Sequence, residues 1–196
     1  MMKKSVLAFG IVAACAVITF GGTKLWQKDQ TELNQDVETA PVGYSSFEDA
    51  QEHHDATLLI MVKSMDGSYA DFGLDGKPNF DGDPGLGIEY FTAHVVDVIS
   101  GDESLMGQSI VVTQLEAGTV SESEAGDQIE AGKSYVIIAL SFEPNPGTIE
   151  SRIWSTPLAG QGVFPVFDGQ VFPTNPDVFP EVFEGNSVSL DVLKTQ

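Results

Sequence analysis

The sequence predicts a mainly β protein: a closed or nearly closed antiparallel barrel of five or more strands with one short helix, placed behind an apolar N-terminal segment. Three observations predict it. Apolar stretches of strand length recur between residues 56 and 172, separated by clusters of Gly, Asp, Pro and Ser. Only one short stretch, near residue 47, carries a helix-start signal. The 196-residue length is right for one domain with attachments, and its 42% apolar content is enough for a packed core.

Each element has its own reason. Ser45 followed three residues later by Glu48 reads as a capping box, so a short helix is expected over 46–54 with Phe47 and Ala50 inward. Residues 56–65 are apolar on both alternate sets, as in a strand buried on both faces. A loop rich in Gly and Asp follows, from Asp66 to Gly87. The second strand is expected at 88–99. Its apolar phase slips at Val95-Val96, which calls for a bulge, and its alternation turns His94 towards solvent. Strands are expected at 109–115, 133–142 and 152–155, the first two joined by a long acidic loop over 116–132. Residues 162–172 read as a hairpin, because Asp168-Gly169 between apolar runs suits a turn that needs positive φ. Pro165 then implies an edge position. Residues 187–193 are expected to form a last strand or a turn of helix.

Charge separates the N-terminus from the rest. Lys3, Lys4, Lys24 and Lys28 precede the first acid, Asp29; from it onward lie all 29 acids and only five of the nine basic residues, and the whole chain carries −20. A chain so anionic repels phosphate backbones, which excludes nucleic acid as a partner. Its single cysteine excludes an intrachain disulfide framework and a cysteine zinc site. The basic start and the apolar run Val6–Phe20 form an export segment. As a retained anchor it extends through Leu25 to an interfacial Trp26, the length a core of about 30 Å requires at about 1.5 Å per residue. As a cleaved signal peptide it would use the small residues at 13–16. Val12-Ala13-Ala14-Cys15 also resembles a lipobox with Cys15 lipidated. In all three readings the acidic body lies outside the cytoplasm. The expected domains are 1–26 signal peptide or membrane anchor, 27–44 polar tether, 45–172 β-barrel, and 173–196 a Pro- and Phe-rich tail packed on it.

Several of these segments together carry a resemblance. Asp55–Lys63, Ile88–Asp102, Gln108–Thr113 and Ile129–Ala139 occur in the order found in the netrin-like module of the tissue inhibitors of metalloproteinases, an OB-fold barrel. The chain resembles still more the cysteine-free versions in small bacterial envelope proteins. The most telling pieces are Ile99-Ser100-Gly101-Asp102 and the pattern Ile129-x-x-Gly132-Lys133-x-Tyr135, and the resemblance spans about residues 46–157. It implies an OB-like barrel. The inhibitors' chemistry does not transfer: they chelate the protease zinc through a free N-terminal cysteine, whereas the matching start here, near Tyr44-Ser45, is internal and has none.

Three groups are candidates for chemistry. Glu52-His53-His54-Asp55 gathers metal-capable side chains, but helical neighbours diverge by about 100°, and the spacing of a zinc-binding helix is absent. A solvated helix end with its histidines near the C-terminal carbonyls explains the same letters. Asp71, Asp75, Asn79, Asp81 and Asp83 crowd one Gly-rich loop, as calcium would need, yet the order is not that of an EF-hand and Asx turns give it too. Phe164, Phe167, Phe172, Phe179 and Phe183 are either packing across the barrel mouth or an exposed aromatic patch for a partner. No nucleophile–base pairing stands out. The expectation is a non-catalytic module, without catalytic, cofactor or metal residues, binding a protein or ligand in the cell envelope and touching the membrane only through its N-terminus. The alternative is an envelope metal-dependent hydrolase or calcium-binding domain using the acidic loops.

Overall fold

A computed structural model describes residues 44–73, 76–117, 128–143, 149, 151–156, 161–173, 177–183 and 187–194. The export segment with Cys15, the tether up to residue 43, Asp75 and most of the acidic loop lie outside them. The protein is mainly β. Helix α1 (Phe47–Glu52) precedes strands β1 (Ala56–Asp71), β2 (Leu86–Ser100), β3 (Ser109–Leu115), β4 (Ser134–Phe142), β5 (Ile153–Ser155), β6 (Val163–Phe167), β7 (Gln170–Val171) and β8 (Val188–Ser189), and helix α2 (Leu190–Leu193) follows. A turn of 3-10 helix, Glu103–Leu105, lies between β2 and β3.

All eight strands belong to one sheet, ordered β1-β2-β3-β5-β4-β6-β7-β8, and β1 also pairs with β4. The sheet is mixed rather than purely antiparallel as expected: β5 runs parallel to β3 and antiparallel to β4. Its three residues link the middle of β3 to the end of β4, a relation that cannot be read from a segment this short.

The two-sided apolarity of residues 56–65 has a direct cause. Leu58, Ile60 and Val62 of β1, with Tyr135, Ile137 and Ala139 of β4, pack on one side with Phe91, Ala93, Val95, Ile110, Val112 and Trp154. On the other side Leu59, Val136 and Ile138 are covered by Phe47 and Ala50 of α1, by Phe164, and by Val178, Phe179, Val182 and Phe183. Phe179 meets Phe47 edge-to-face with ring centres 5.6 Å apart, and Phe164 lies 5.3 Å from Phe183. Two layers thus share the β1–β4 pair as a common wall.

The strand ends differ instructively from expectation. β1 runs to Asp71 and β2 begins at Leu86, so much of the expected loop is a strand extension. The extension is polar and exposed, and therefore lacks the apolar alternation of a buried strand. One bulge falls at its start, where Met65 and Gly67 face Phe91 and Tyr90; another lies just before it, where Val62 and Ser64 face Ala93 and Thr92. The bulge expected near Val95 is present: Leu59 and Ile60 face Asp97 and Val95, leaving Val96 out of the ladder and exposed. His94 points away from the inner layer but is half-buried, not fully solvated.

Helix α1 is capped by Ser46, not Ser45. The Ser46 hydroxyl accepts from Asp49 N at 3.0 Å, and the Asp49 carboxylate accepts from the Ser45 backbone N–H and hydroxyl. The capping pair is therefore displaced by one residue from the Ser45–Glu48 reading. Glu181, from the C-terminal part, accepts from Phe47 N at 2.9 Å and satisfies another free N–H at the helix start. The hairpin turn is as expected: Asp168 and Gly169 both have positive φ (48° and 74°) and join β6 to β7. Pro165, however, is not at an edge, because β6 pairs with both β4 and β7. Its carbonyl accepts from Phe172 N, so its missing N–H faces the side where the two-residue β7 has already ended. The last segment forms both elements that were open, a two-residue strand and a helical turn; Lys194 of α2's C-cap is ion-paired with Asp97 of β2.

Two measurements probe this architecture. Phe164→Ala, in the outer layer, should lower unfolding free energy by about 3–5 kcal/mol, whereas Phe167→Ala, 70% exposed on the same strand, should change it by less than about 0.5 kcal/mol. Gly101→Ala should cost about 2–4 kcal/mol, because its φ is +113° and a Cβ there would sit 2.7 Å from the Asp55 carbonyl oxygen. Urea titrations of the three variants check both statements.

Candidate functional site

The first candidate group is pulled apart by its own turn. The last turn of α1 leaves carbonyls without helical partners. Two of its carbonyls are taken by imidazoles: His53 Nδ1 lies 2.7 Å from Asp49 O and His54 Nδ1 lies 2.6 Å from Ala50 O. Donation to a carbonyl fixes the proton on Nδ1 in both rings. Asp55 turns to β4, where one carboxylate oxygen accepts from both the Ser141 N–H and its hydroxyl at 2.9 Å. Tyr44 packs against both rings, 5.7 Å from His53 and 5.2 Å from His54. Gln161 holds Tyr44 with two bonds, accepting from its N–H at 2.7 Å and donating to its carbonyl at 3.1 Å. Burial pushes the His54 imidazole below its usual range, against the smaller opposite effect of the Ala50 carbonyl.

The second group is spent on turns. Asp71 Oδ1 accepts from Gly73 N at 2.8 Å; Asp83 accepts from Asn79 N and from Gly85 N, each at 2.9 Å. The Gly85 and Asn79 N–H groups hold the Asp83 carboxyl below the usual carboxylate range. Among the described residues, no group of three or more His, Cys, Asp or Glu is placed to hold a metal ion. Among them, too, no helix is long and apolar enough to cross a membrane.

The third group divides. Phe164, Phe179 and Phe183 are buried in the outer layer. Phe167 is exposed and Phe172 is 37% exposed, both on the β6–β7 hairpin. The reason is position: residues 164 and 166 face the covered side, while 167 lies beyond the end of the β4 ladder.

Sequence reasoning missed a groove of about 640 Å³ lined by Ser68, Tyr69, Ala70, Pro84, Gly85, Leu86, Gly87 and Glu116. It lies where the β1–β2 extension meets the end of β3, with Gly87 facing Ala70 across the ladder and accepting from Glu116 N. Tyr69 and Tyr90 pack at 6.3 Å, and Tyr90 occupies the space a side chain at Gly67 would need. Burial first, and Asp71 second, push the Tyr69 hydroxyl up to about 12. The available signal was Tyr69, inside what reads as a loop, with Tyr90 near the start of the second expected strand.

The two motif residues have structural tasks. Gly101 lets the end of β2 pass against the backbone at Asp55 and Ala56. The Tyr135 hydroxyl accepts from Glu130 N at 3.0 Å and donates to Gln128 O at 3.2 Å, while Gly132 N donates to Val62 O. The pattern from Ile129 to Tyr135 thus fastens the turn before β4 onto β1.

Tyr135→Phe should therefore cost about 1–3 kcal/mol, the loss on stranding a partly buried donor and acceptor, as urea unfolding would show. For His54 the folded form binds protons less readily than the unfolded one. Stability should be complete above the ordinary imidazole value of about 6.5 and fall as pH drops below it. His54→Gln should flatten that slope in melting curves taken from neutral to mildly acidic pH. Comparison of the chain with protein-family models, with curated proteins and with solved structures finds no match.

Proposed function

We propose that this protein is an exported, membrane-tethered, non-catalytic binding module of the cell envelope. The observation that carries the reading is how the polar side chains are used. The histidines and Asp55 of the first candidate group, and Asp71 and Asp83 of the second, are engaged with backbone groups of their own turns or of a neighbouring strand, and no described group of three is placed to hold a metal ion. An arrangement of this kind stabilises a scaffold and supplies no acid–base pair or ligand shell. The basic, apolar N-terminus supports delivery across a membrane, with the acidic body outside.

An OB-like barrel of the netrin-like type is part of the same proposal. Its support is the circuit of pairings from β1 through β2, β3, β5 and β4 back to β1. Gly101 and Tyr135, the motif residues of the resemblance, both act as fasteners around that circuit. The acids that discourage nucleic acid would favour a cationic partner and make association dependent on salt.

Fractionation and photo-crosslinking in intact cells test the reading. The expected result is a body outside the cytoplasm, retained with the membrane, that crosslinks to a defined envelope component and turns over no substrate. Recovery of the folded body from the cytosol, or turnover that requires one of its histidines or acids, would overturn it.

A further inference from the structure

Strand β1 has two edges, and they are used differently. One pairs with β2 along its whole length, from Thr57 to Asp71. The other pairs with β4 only from Ala56 to Met61, and Val62 closes it with bonds to Gly132 and Lys133. From Ser64 to Asp71, no strand among the described residues pairs with this second edge. An open edge is a row of backbone donors and acceptors ready for another extended chain.

Resting on the reading of this protein as a binding module, we propose that the open edge of β1, Ser64–Asp71, is its docking surface, and that the occupant is an extended cationic polypeptide segment added as a further strand. Charge selects the occupant. Asp66 and Asp71 lie on the edge strand itself. A second copy would bring its own acids against these, with both chains carrying −20, so self-pairing is opposed. A lysine- or arginine-bearing strand meets the same acids as favourable partners. Backbone pairing would supply affinity and the acids of the edge strand selectivity.

Full-length protein in detergent micelles is titrated with a peptide of alternating lysine and valine. A copy N-methylated along the backbone and a glutamate–valine copy are compared, and amide hydrogen exchange is read residue by residue. The expected result is binding of the lysine–valine peptide, at least about tenfold weaker binding of the N-methylated copy, and no binding of the acidic one. The newly protected amides should lie in Ser64–Asp71, and Asp66→Asn, which keeps an acceptor for the Ser64 and Thr92 hydroxyls, should weaken binding of the lysine–valine peptide. Equal binding of the N-methylated copy, protection elsewhere, or no binding at all would overturn the proposal. A partner crosslinked in cells to another surface, such as Phe167, would overturn the edge assignment and leave the binding reading in place. The two proposals therefore fail by different results.

Discussion

The structure depends on two adjacent strands being covered on both sides. β1 and β4 are the shared wall, and neither layer is complete without them. Removing water from one face of these strands leaves Leu59, Val136 and Ile138 on the other, and these need their own cover. Helix α1 and the segment from Val178 to Leu193 provide it. That need explains why so much Phe and Val lies near the C-terminus, in short pieces with little regular structure. Their conformation is governed by the surface they cover rather than by their own periodicity. Phe179 is one sign of this, since it holds a positive φ of 50° while its ring reaches both Phe47 and Phe164.

Much of the fold was legible where burial leaves a pattern. The two-sided apolarity of residues 56–65, the phase slip at Val95-Val96 and the Asp168-Gly169 turn each correspond to one physical cause in the structure. The misreadings share a cause too. The extension of β1 and β2 is exposed, so its residues look like a loop. The parallel pairing of β5 depends on distant strands. Pro165 follows a rule about missing donors that is satisfied here by the end of a neighbouring strand, not by the edge of the sheet.

The candidate sites were legible as clusters of letters but not as geometry. Glu52, His53, His54 and Asp55 are adjacent in the chain, yet the helix end sends two of them to carbonyls and one to β4. The aspartates of the Gly-rich loop shape turns. Gly101 and Tyr135, which carry the strongest pattern of the chain, hold strands together. The groove beside Tyr69 was invisible because it arises from Gly87 lying across from Ala70, a relation between strands that sequence order does not display.

The two hydrogen bonds between Gln161 and Tyr44 and the bond from Phe47 N to Glu181 stand at the first described residues, ahead of β1. If the leader is held in a bilayer, any tug on the body arrives there first. It must slide the Tyr44 amide past Gln161 and then draw α1 from beneath Glu181 before it can reach β1. Under such a load the outer layer would act as a mechanical buffer as well as a cover, the inner strands being strained only after it had yielded.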